Sequence, residues 1–118
     1  PLAAIFLCGS VLEGILSAIA LQKPQSFNTA ESSPKDNVTG RIKPFNKWTL
    51  KDYIDVAHEL GYIDLDVKKF SHVVQDFRNY IHPYQQMAQN FSPNIETAKL
   101  CVQVIKIAIN QIAQKNNI

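Results

Sequence analysis

The stretch LAAIFLCGSVLEGILSAIALQ, Leu2 to Gln22, is apolar along nearly its whole length, and its interpretation decides the fold of this 118-residue chain. Its length would suit a membrane span, and residues 18–20 (AIA) imitate a signal-peptide cleavage site. However, Glu13 lies at its centre, where a charge in a bilayer costs about 3 kcal/mol, and no basic residue flanks its start. We therefore expect a buried helix at the centre of a bundle, with no membrane association.

Capping residues predict a second helix after residue 48. Thr49 is a favourable N-cap, Asp52 can complete a capping box with it, and Trp48 can act as a hydrophobic staple. Gly61 supplies the C-terminal stop. The apolar residues of this helix are Leu50, Tyr53, Ile54, Ala57 and Leu60.

Two more helices follow from the same kinds of signal. The third begins at Asp64 or Asp66 and ends before Pro83, since the residue preceding a proline is pushed out of helical geometry. Its predicted core stripe is Val67, Phe70, Val74, Phe77 and Ile81. The fourth opens with Ser92 as N-cap and Pro93 in the first turn. Its predicted core stripe is Ala98, Cys101, Val102, Ile105, Ala108, Ile109 and Ile112.

The segment between the first two helices, residues 23–47, has a different composition. It contains three prolines and many Ser, Asn and Thr residues without a hydrophobic period, so it is predicted to be a loop. A loop of this length in a compact domain is usually either functional or disordered. The sequence thus predicts an all-α, up-and-down bundle of four main helices, with a long loop between helices 1 and 2.

Composition limits the class of protein. The 118 residues suit one domain (1–118), and the start at Pro1 rather than Met suggests a piece of a longer chain. A net charge of +2, with Lys and Arg scattered, permits a nucleic-acid partner without arguing for one. Cys8 and Cys101 lie in apolar helical patterns and are expected to be buried free thiols in a reducing, cytoplasmic compartment.

The three histidines, His58, His72 and His82, show no metal-ligand spacing, so no metal or cofactor is expected. We expect His58 and His72 to be solvated surface residues.

One segment carries a chemical signal: QDFRNYIHPYQQ, residues 75–86. Arg78 and His82 are four residues apart, so their Cβ atoms would be roughly 5–6 Å apart on a helix. Arginine offers a fixed fork of donors to a phosphodiester, and histidine exchanges a proton near neutral pH. Together they could cleave RNA without a metal. The alternatives are that Arg78 pairs with Glu13, and that His82 satisfies the last carbonyls of its helix.

The segment RNYIHP, residues 78–83, preceded by a helix containing CGSVLEGIL, residues 8–16, resembles the HEPN superfamily. That family consists of short all-α bundles with an Arg, commonly followed by a polar residue, and a His at the end of one helix. The resemblance implies a homodimer whose two Arg-His segments face each other. In active members it implies metal-independent endoribonuclease activity, often in toxin–antitoxin or phage-defence systems.

Residue by residue, the resemblance makes Arg78 the phosphate-binding cation, His82 the acid or base, and Asn79 the polar partner that orients them. The family pattern has four to six residues between the Arg and the His, whereas this sequence has three. We expect Gln75, Tyr80 and Tyr84 to assist binding of RNA, the two tyrosines by stacking on bases. The alternative is that both tyrosines pack against the bundle.

Three functions stay open on these grounds. The first is a dimeric RNase of the HEPN kind, with an antitoxin protein as a further expected partner. The second is a non-catalytic module of a larger protein that binds RNA, nucleotide or another protein. The third is a structural bundle in which Arg78 is held by Glu13.

Overall fold

The structure, a computed structural model, describes residues 2–80 and 95–116, and it describes residues 2, 77–80 and 116 by their helical backbone alone. The helices are α1 (Leu2–Gln22), α2 (Pro24–Thr29), a 3-10 turn (Phe45–Lys47), α3 (Leu50–Glu59), α4 (Leu65–Tyr80) and α5 (Ile95–Asn116). The predicted all-α bundle of four main helices, which are α1, α3, α4 and α5, is confirmed. Across the described ranges the only β-type pairing is an isolated bridge between Lys35 and Ile42.

Both ends of α3 are fixed as the sequence predicts. The Thr49 hydroxyl accepts from the Asp52 N–H, and the Asp52 carboxylate accepts from the Thr49 N–H, which completes the capping box. Trp48 packs on Tyr53, with ring centroids 5.1 Å apart, as a hydrophobic staple. At the other end Gly61 adopts φ +86°, and the next amide donates back into the last turn. Glycine adopts this left-handed conformation without strain.

The three helices α3, α4 and α5 alternate in direction. Asp64 caps α4 by accepting from the Val67 N–H. Its own N–H and carboxylate exchange hydrogen bonds with Gln111 near the end of α5, at 3.0 and 2.8 Å. The start of α4 therefore lies beside the end of α5, and α3 joins α4 through the turn at Gly61. The predicted caps Ser92 and Pro93, and the predicted stop at Pro83, lie outside the described residues.

The inner faces of α4 and α5 differ from the predicted stripes. On α4 the buried side chains are Val67, Ser71 and Val74, whereas Phe70 is 48% exposed. Small Ser71 occupies the place nearest the neighbouring helices, so the larger Phe70 is turned outward. On α5, Val102 and Ile109 are exposed, and the buried stripe is Ala98, Cys101, Val104, Ile105, Ala108 and Ile112. Phe77 and Ile81 have no described side chain.

Only one side of α1 is buried, which differs from the predicted central helix. Its inward residues are Ile5, Cys8, Leu12, Leu16, Ile19 and Ala20. Leu7 is 63% exposed and Leu21 is 71% exposed, because no other described helix covers the opposite side. Among the described helices, Ala3–Gln22 alone is long and apolar enough to cross a membrane, with a mean hydropathy of 2.1. A core helix or a signal sequence would have the same composition.

The connection between α1 and α3, predicted to be a loop, contains the short helix α2 and packs around one aromatic side chain. Phe27, in α2, is fully buried, with its ring centroid 6.3 Å from that of Trp48 and 5.9 Å from that of Tyr62. Ser33 is also buried, and its hydroxyl donates to the Phe27 carbonyl. Most of residues 30–47 is loop, as predicted, whereas the short helix α2 was not predicted. The burial of Phe27 was not predicted either, because its long-range contacts leave no local pattern.

Glu59 ties the same connection to the C-terminal end of α3. Its carboxylate accepts from the N–H groups of Glu31 and Ser32, at 2.7 and 2.8 Å, and from the Ser32 hydroxyl. The hydrogen bonds from Ser32 hold the pKa of Glu59 below its ordinary value. The connection therefore runs from the C-terminal end of α3, at Glu59, back to the N-terminal end, at Trp48.

Candidate functional site

The predicted site residues lie at and beyond the end of α4. Arg78, Asn79 and Tyr80 form the last turn of the helix backbone, and their side chains lie outside the described part of the chain. His82 and Tyr84 lie outside it altogether. Gln75, one turn earlier, is half-buried on α4. The Arg78–His82 pair and its polar partner Asn79 therefore stay a prediction.

The register between α3 and α4 fixes the level of that last turn. His72 Nε2 lies 2.9 Å from Asp55 Oδ1, and Lys68 Nζ lies 3.8 Å from the same oxygen. Six residues after His72 is Arg78, and six residues before Asp55 is Thr49. At 1.5 Å per residue both steps cover about 9 Å in the same direction. The backbone of Arg78 is thus level with the N-cap of α3, which we call the Thr49 end of the bundle.

Glu13 of α1 also lies towards the Thr49 end. Tyr53, in the first turns of α3, donates its hydroxyl to the Phe45 carbonyl at 2.9 Å. Burial raises the pKa of this tyrosine, and the negative charges of Glu13 and Asp52 raise it further. Glu13 itself is half-buried. The Arg78 side chain lies outside the described part of the chain. The alternative pairing of Arg78 with Glu13 therefore also stays a prediction.

A cavity of about 550 Å³ lies in the connection. It is lined by Asp36, Thr39, Arg41, Ile42, Lys43, Pro44 and Lys47. Part of its lining belongs to the segment just before the Thr49 end, since Lys47 is followed directly by Trp48 and the cap. Three of the scattered cations, Arg41, Lys43 and Lys47, line this one cavity. The sequence RIKPFNK, residues 41–47, carried the signal as three cations in seven residues.

His72 is not the solvated residue that the sequence predicts. With Lys51 and Lys68 it surrounds the Asp55 carboxylate, which is 20% exposed. Burial alone would raise the pKa of Asp55, but hydrogen bonds from Lys51 and His72 lower it. The lowered pKa keeps this carboxylate in its charged form, and the cluster joins α3 to α4. His58, on α3, is half-buried.

The cysteines are free and buried, as predicted. Burial raises the pKa of Cys8 and of Cys101, and the charge of Cys8 raises that of Cys101 further. Thiols with raised pKa are poor nucleophiles at neutral pH. Within residues 2–80 and 95–116, no cluster of His, Cys, Asp and Glu could hold a metal ion.

A second feature is an apolar surface shared by α1 and α5, which we call the α1/α5 face. A groove of about 260 Å³ runs along it, lined by Ala4, Leu7, Cys8, Val11, Val102, Ile105 and Lys106. On α5, Ile109 is a further exposed apolar residue, on the same helical face as Val102. An exposed apolar patch of this kind is a candidate interaction site in a soluble protein.

Comparisons of the chain with protein families, with curated proteins and with solved structures found no match. The resemblance of RNYIHP to the HEPN superfamily therefore rests on the sequence alone.

Proposed function

We propose that this chain is a HEPN-like domain that binds single-stranded RNA and cleaves it without a metal, acting as a dimer. The support from the structure is the register of α3 and α4. It brings the backbone of Arg78 level with Thr49, at the end of the bundle that the cationic segment of residues 41–47 enters. A phosphodiester at the last turn of α4 would lie at the end of the bundle that this cationic segment enters.

In the proposed reaction His82 removes the proton of a ribose 2′-hydroxyl. The 2′-oxygen then attacks the adjacent phosphorus, and the bond from phosphorus to the 5′-oxygen of the next nucleotide breaks. That oxygen takes up a proton from solvent, and His82 returns its proton to solvent. One fragment then ends in a 2′,3′-cyclic phosphate and the other in a 5′-hydroxyl. Arg78 stabilises the charge that develops on the phosphoryl oxygens, and Asn79 orients the pair.

The test of this function is cleavage of an end-labelled single-stranded RNA with EDTA in excess. We expect cleavage that EDTA does not suppress, with 2′,3′-cyclic phosphate ends, because neither proposed group needs a metal. Mass spectrometry of the fragments distinguishes these ends from the 3′-hydroxyl ends typical of metal-dependent hydrolysis. No cleavage by a folded, dimeric preparation, or cleavage that EDTA abolishes, would reject the nuclease and leave the binding module.

The dimeric state has its own support in the α1/α5 face. One groove is lined by three apolar side chains that are each more than a third exposed: Leu7 and Val11 of α1 and Val102 of α5. Exposure of apolar surface to water is unfavourable, so burying these side chains would be favourable. A second copy of the chain offers an equally apolar surface, and a two-fold axis pairs the same patch on both subunits. We propose this face as the dimer interface.

Leu7→Asp is expected to weaken dimerisation at least about 100-fold, because a buried, unpaired charge costs on the order of 3–5 kcal/mol and the two-fold axis introduces it twice. Sedimentation velocity over a range of concentrations measures the change. Val38→Asp is the matched control, since Val38 is 93% exposed in the connection and away from this face. A wild type that stays monomeric at high concentration, or an equal effect of both variants, would overturn the interface.

A further inference from the structure

The cavity in the connection is built on a fixed backbone. The Asp36 side chain accepts from the N–H groups of Val38 and Thr39, at 2.8 and 3.0 Å, and the Asp36 N–H donates to the Arg41 carbonyl at 2.8 Å. Gly40 closes the turn with φ +73°. A β-branched or bulky residue would be strained at this φ, so glycine permits the turn.

The other side of the cavity is tied to the core. The Lys43 N–H donates to the Pro34 carbonyl at 2.9 Å, and the Lys43 carbonyl accepts from the indole N–H of Trp48 at 2.8 Å. Trp48 is 6% exposed and anchors this backbone in the hydrophobic core. The positions of residues 41–43 are therefore set before any ligand arrives, which lowers the entropic cost of binding.

The cations that line the cavity have no direct ion pair among the described residues. Within residues 2–76 and 95–115, no side chain forms a salt bridge or hydrogen bond with the cationic groups of Arg41, Lys43 or Lys47. Asp36 is the one carboxylate in the lining, and its oxygen Oδ1 already accepts from two backbone N–H groups. The pKa of Asp36 is lowered by its backbone hydrogen bonds from Thr39 and Val38 and also by the charge of Lys43. The lining therefore has three cations against one carboxylate, an excess of positive charge that favours an anionic ligand.

Phosphate groups suit these residues. Arginine binds a phosphate with two parallel hydrogen bonds, whereas lysine acts as a compact point charge. A cavity of about 550 Å³ is larger than a single phosphate needs, and Ile42 and Pro44 give it apolar wall for a ribose or base. A chain of nucleotides fits this combination better than a free anion does.

We propose that the cavity lined by Arg41, Lys43 and Lys47 binds backbone phosphates of single-stranded RNA. The choice of RNA rests on the proposed function, whereas the choice of phosphate rests on the cavity itself. Since Lys47 lies just before the Thr49 end, a strand held here would be led towards the level of Arg78. The cavity would then hold RNA beside the cleavage site rather than take part in the reaction.

The test is binding of a fluorescent 2′-O-methyl oligonucleotide of about ten nucleotides, measured by anisotropy. This probe cannot undergo attack by its 2′-oxygen, so binding is read without cleavage. We expect the triple substitution Arg41→Gln, Lys43→Gln, Lys47→Gln to weaken binding about tenfold or more. It should also reduce the slope of log K against log salt by about 2, since each lost phosphate contact removes about 0.7.

The control is the double substitution Lys23→Gln, Lys69→Gln, which removes exposed cations on α4 and before α2 that have no salt-bridge partner among the described residues. Its salt slope should stay at the wild-type value. A loss in the control variant of about two thirds of that in the triple variant would overturn the proposal, because binding would then follow the number of cations removed, two against three. Displacement of half of the probe by inorganic phosphate at a concentration near the Kd of the probe, at matched ionic strength, would also overturn it, since a single anion would then bind as well as the nucleotide chain.

The triple variant is checked by circular dichroism, and Lys47→Gln alone provides a second variant outside the Asp36 turn. Failure of the cavity and failure of the nuclease are distinguishable. If RNA is cleaved and the triple substitution leaves binding of the probe unchanged, only the cavity is rejected. Cavity-dependent binding without cleavage in EDTA rejects the nuclease only.

Discussion

His82→Ala is expected to lower metal-free RNA cleavage at least about 100-fold, because proton transfer by a positioned side chain contributes about 10²–10⁴-fold to rate. The loss should appear in the cleavage step, with binding of the 2′-O-methyl probe nearly unchanged. Single-turnover cleavage of labelled RNA in EDTA measures the first quantity, and anisotropy measures the second.

The matched control is His58→Ala, which removes a half-buried histidine from the part of α3 that is farther from the Thr49 end. Cleavage by this variant should stay within about twofold of wild type, in line with surface substitutions. Arg78→Lys is a further test, because lysine keeps the charge and loses the bidentate fork. Cleavage by His82→Ala at the wild-type rate would overturn the assigned role. Loss of helicity in His82→Ala would instead identify His82 as a residue that supports the helix end.

Phe27→Ala is expected to lower the free energy of unfolding by about 3–5 kcal/mol, the range for a buried phenylalanine. Phe27 is fully buried between Trp48, just before α3, and Tyr62, just after it. Its removal therefore leaves a cavity between α2 and the residues that flank α3. Urea denaturation followed by circular dichroism measures the loss.

Phe70→Ala makes the same chemical change at a side chain that is 48% exposed, and it should cost less than about 1 kcal/mol. Similar losses at the two positions would mean that the connection does not belong to the core. The pair also tests the departure from the predicted α4 stripe, in which Phe70 was expected to be buried and residues 23–47 were expected to be loop.

Local signals made the ends of α3 and the start of α4 predictable. A cap such as Thr49 or Asp64 accepts a hydrogen bond from a backbone N–H three residues later, so it can be predicted from a few consecutive residues. The faces of the helices were less predictable, since Ser71 is buried and Phe70 exposed only because of which helices lie opposite.

Longer-range contacts left weaker traces. Phe27 contacts Tyr62, which is 35 positions later in the sequence, and no hydrophobic periodicity predicts such a contact. The cavity cations were close in sequence, but their convergence depends on the Asp36 turn and the bond from Trp48. Arg78 and His82 are four residues apart in the sequence, and the chemical role predicted for them is what the experiments above decide.

The attachment of the connection at both ends of α3 has a consequence for local opening. A ten-residue helix is too short to be stable by itself in water. The Glu59 carboxylate holds residues 31 and 32 at one end of α3, while Trp48 and Tyr53 hold the other. The connection and α3 should therefore lose and regain hydrogen-exchange protection as one cooperative unit. The segment that lines the cationic cavity would then open only as often as α3 does.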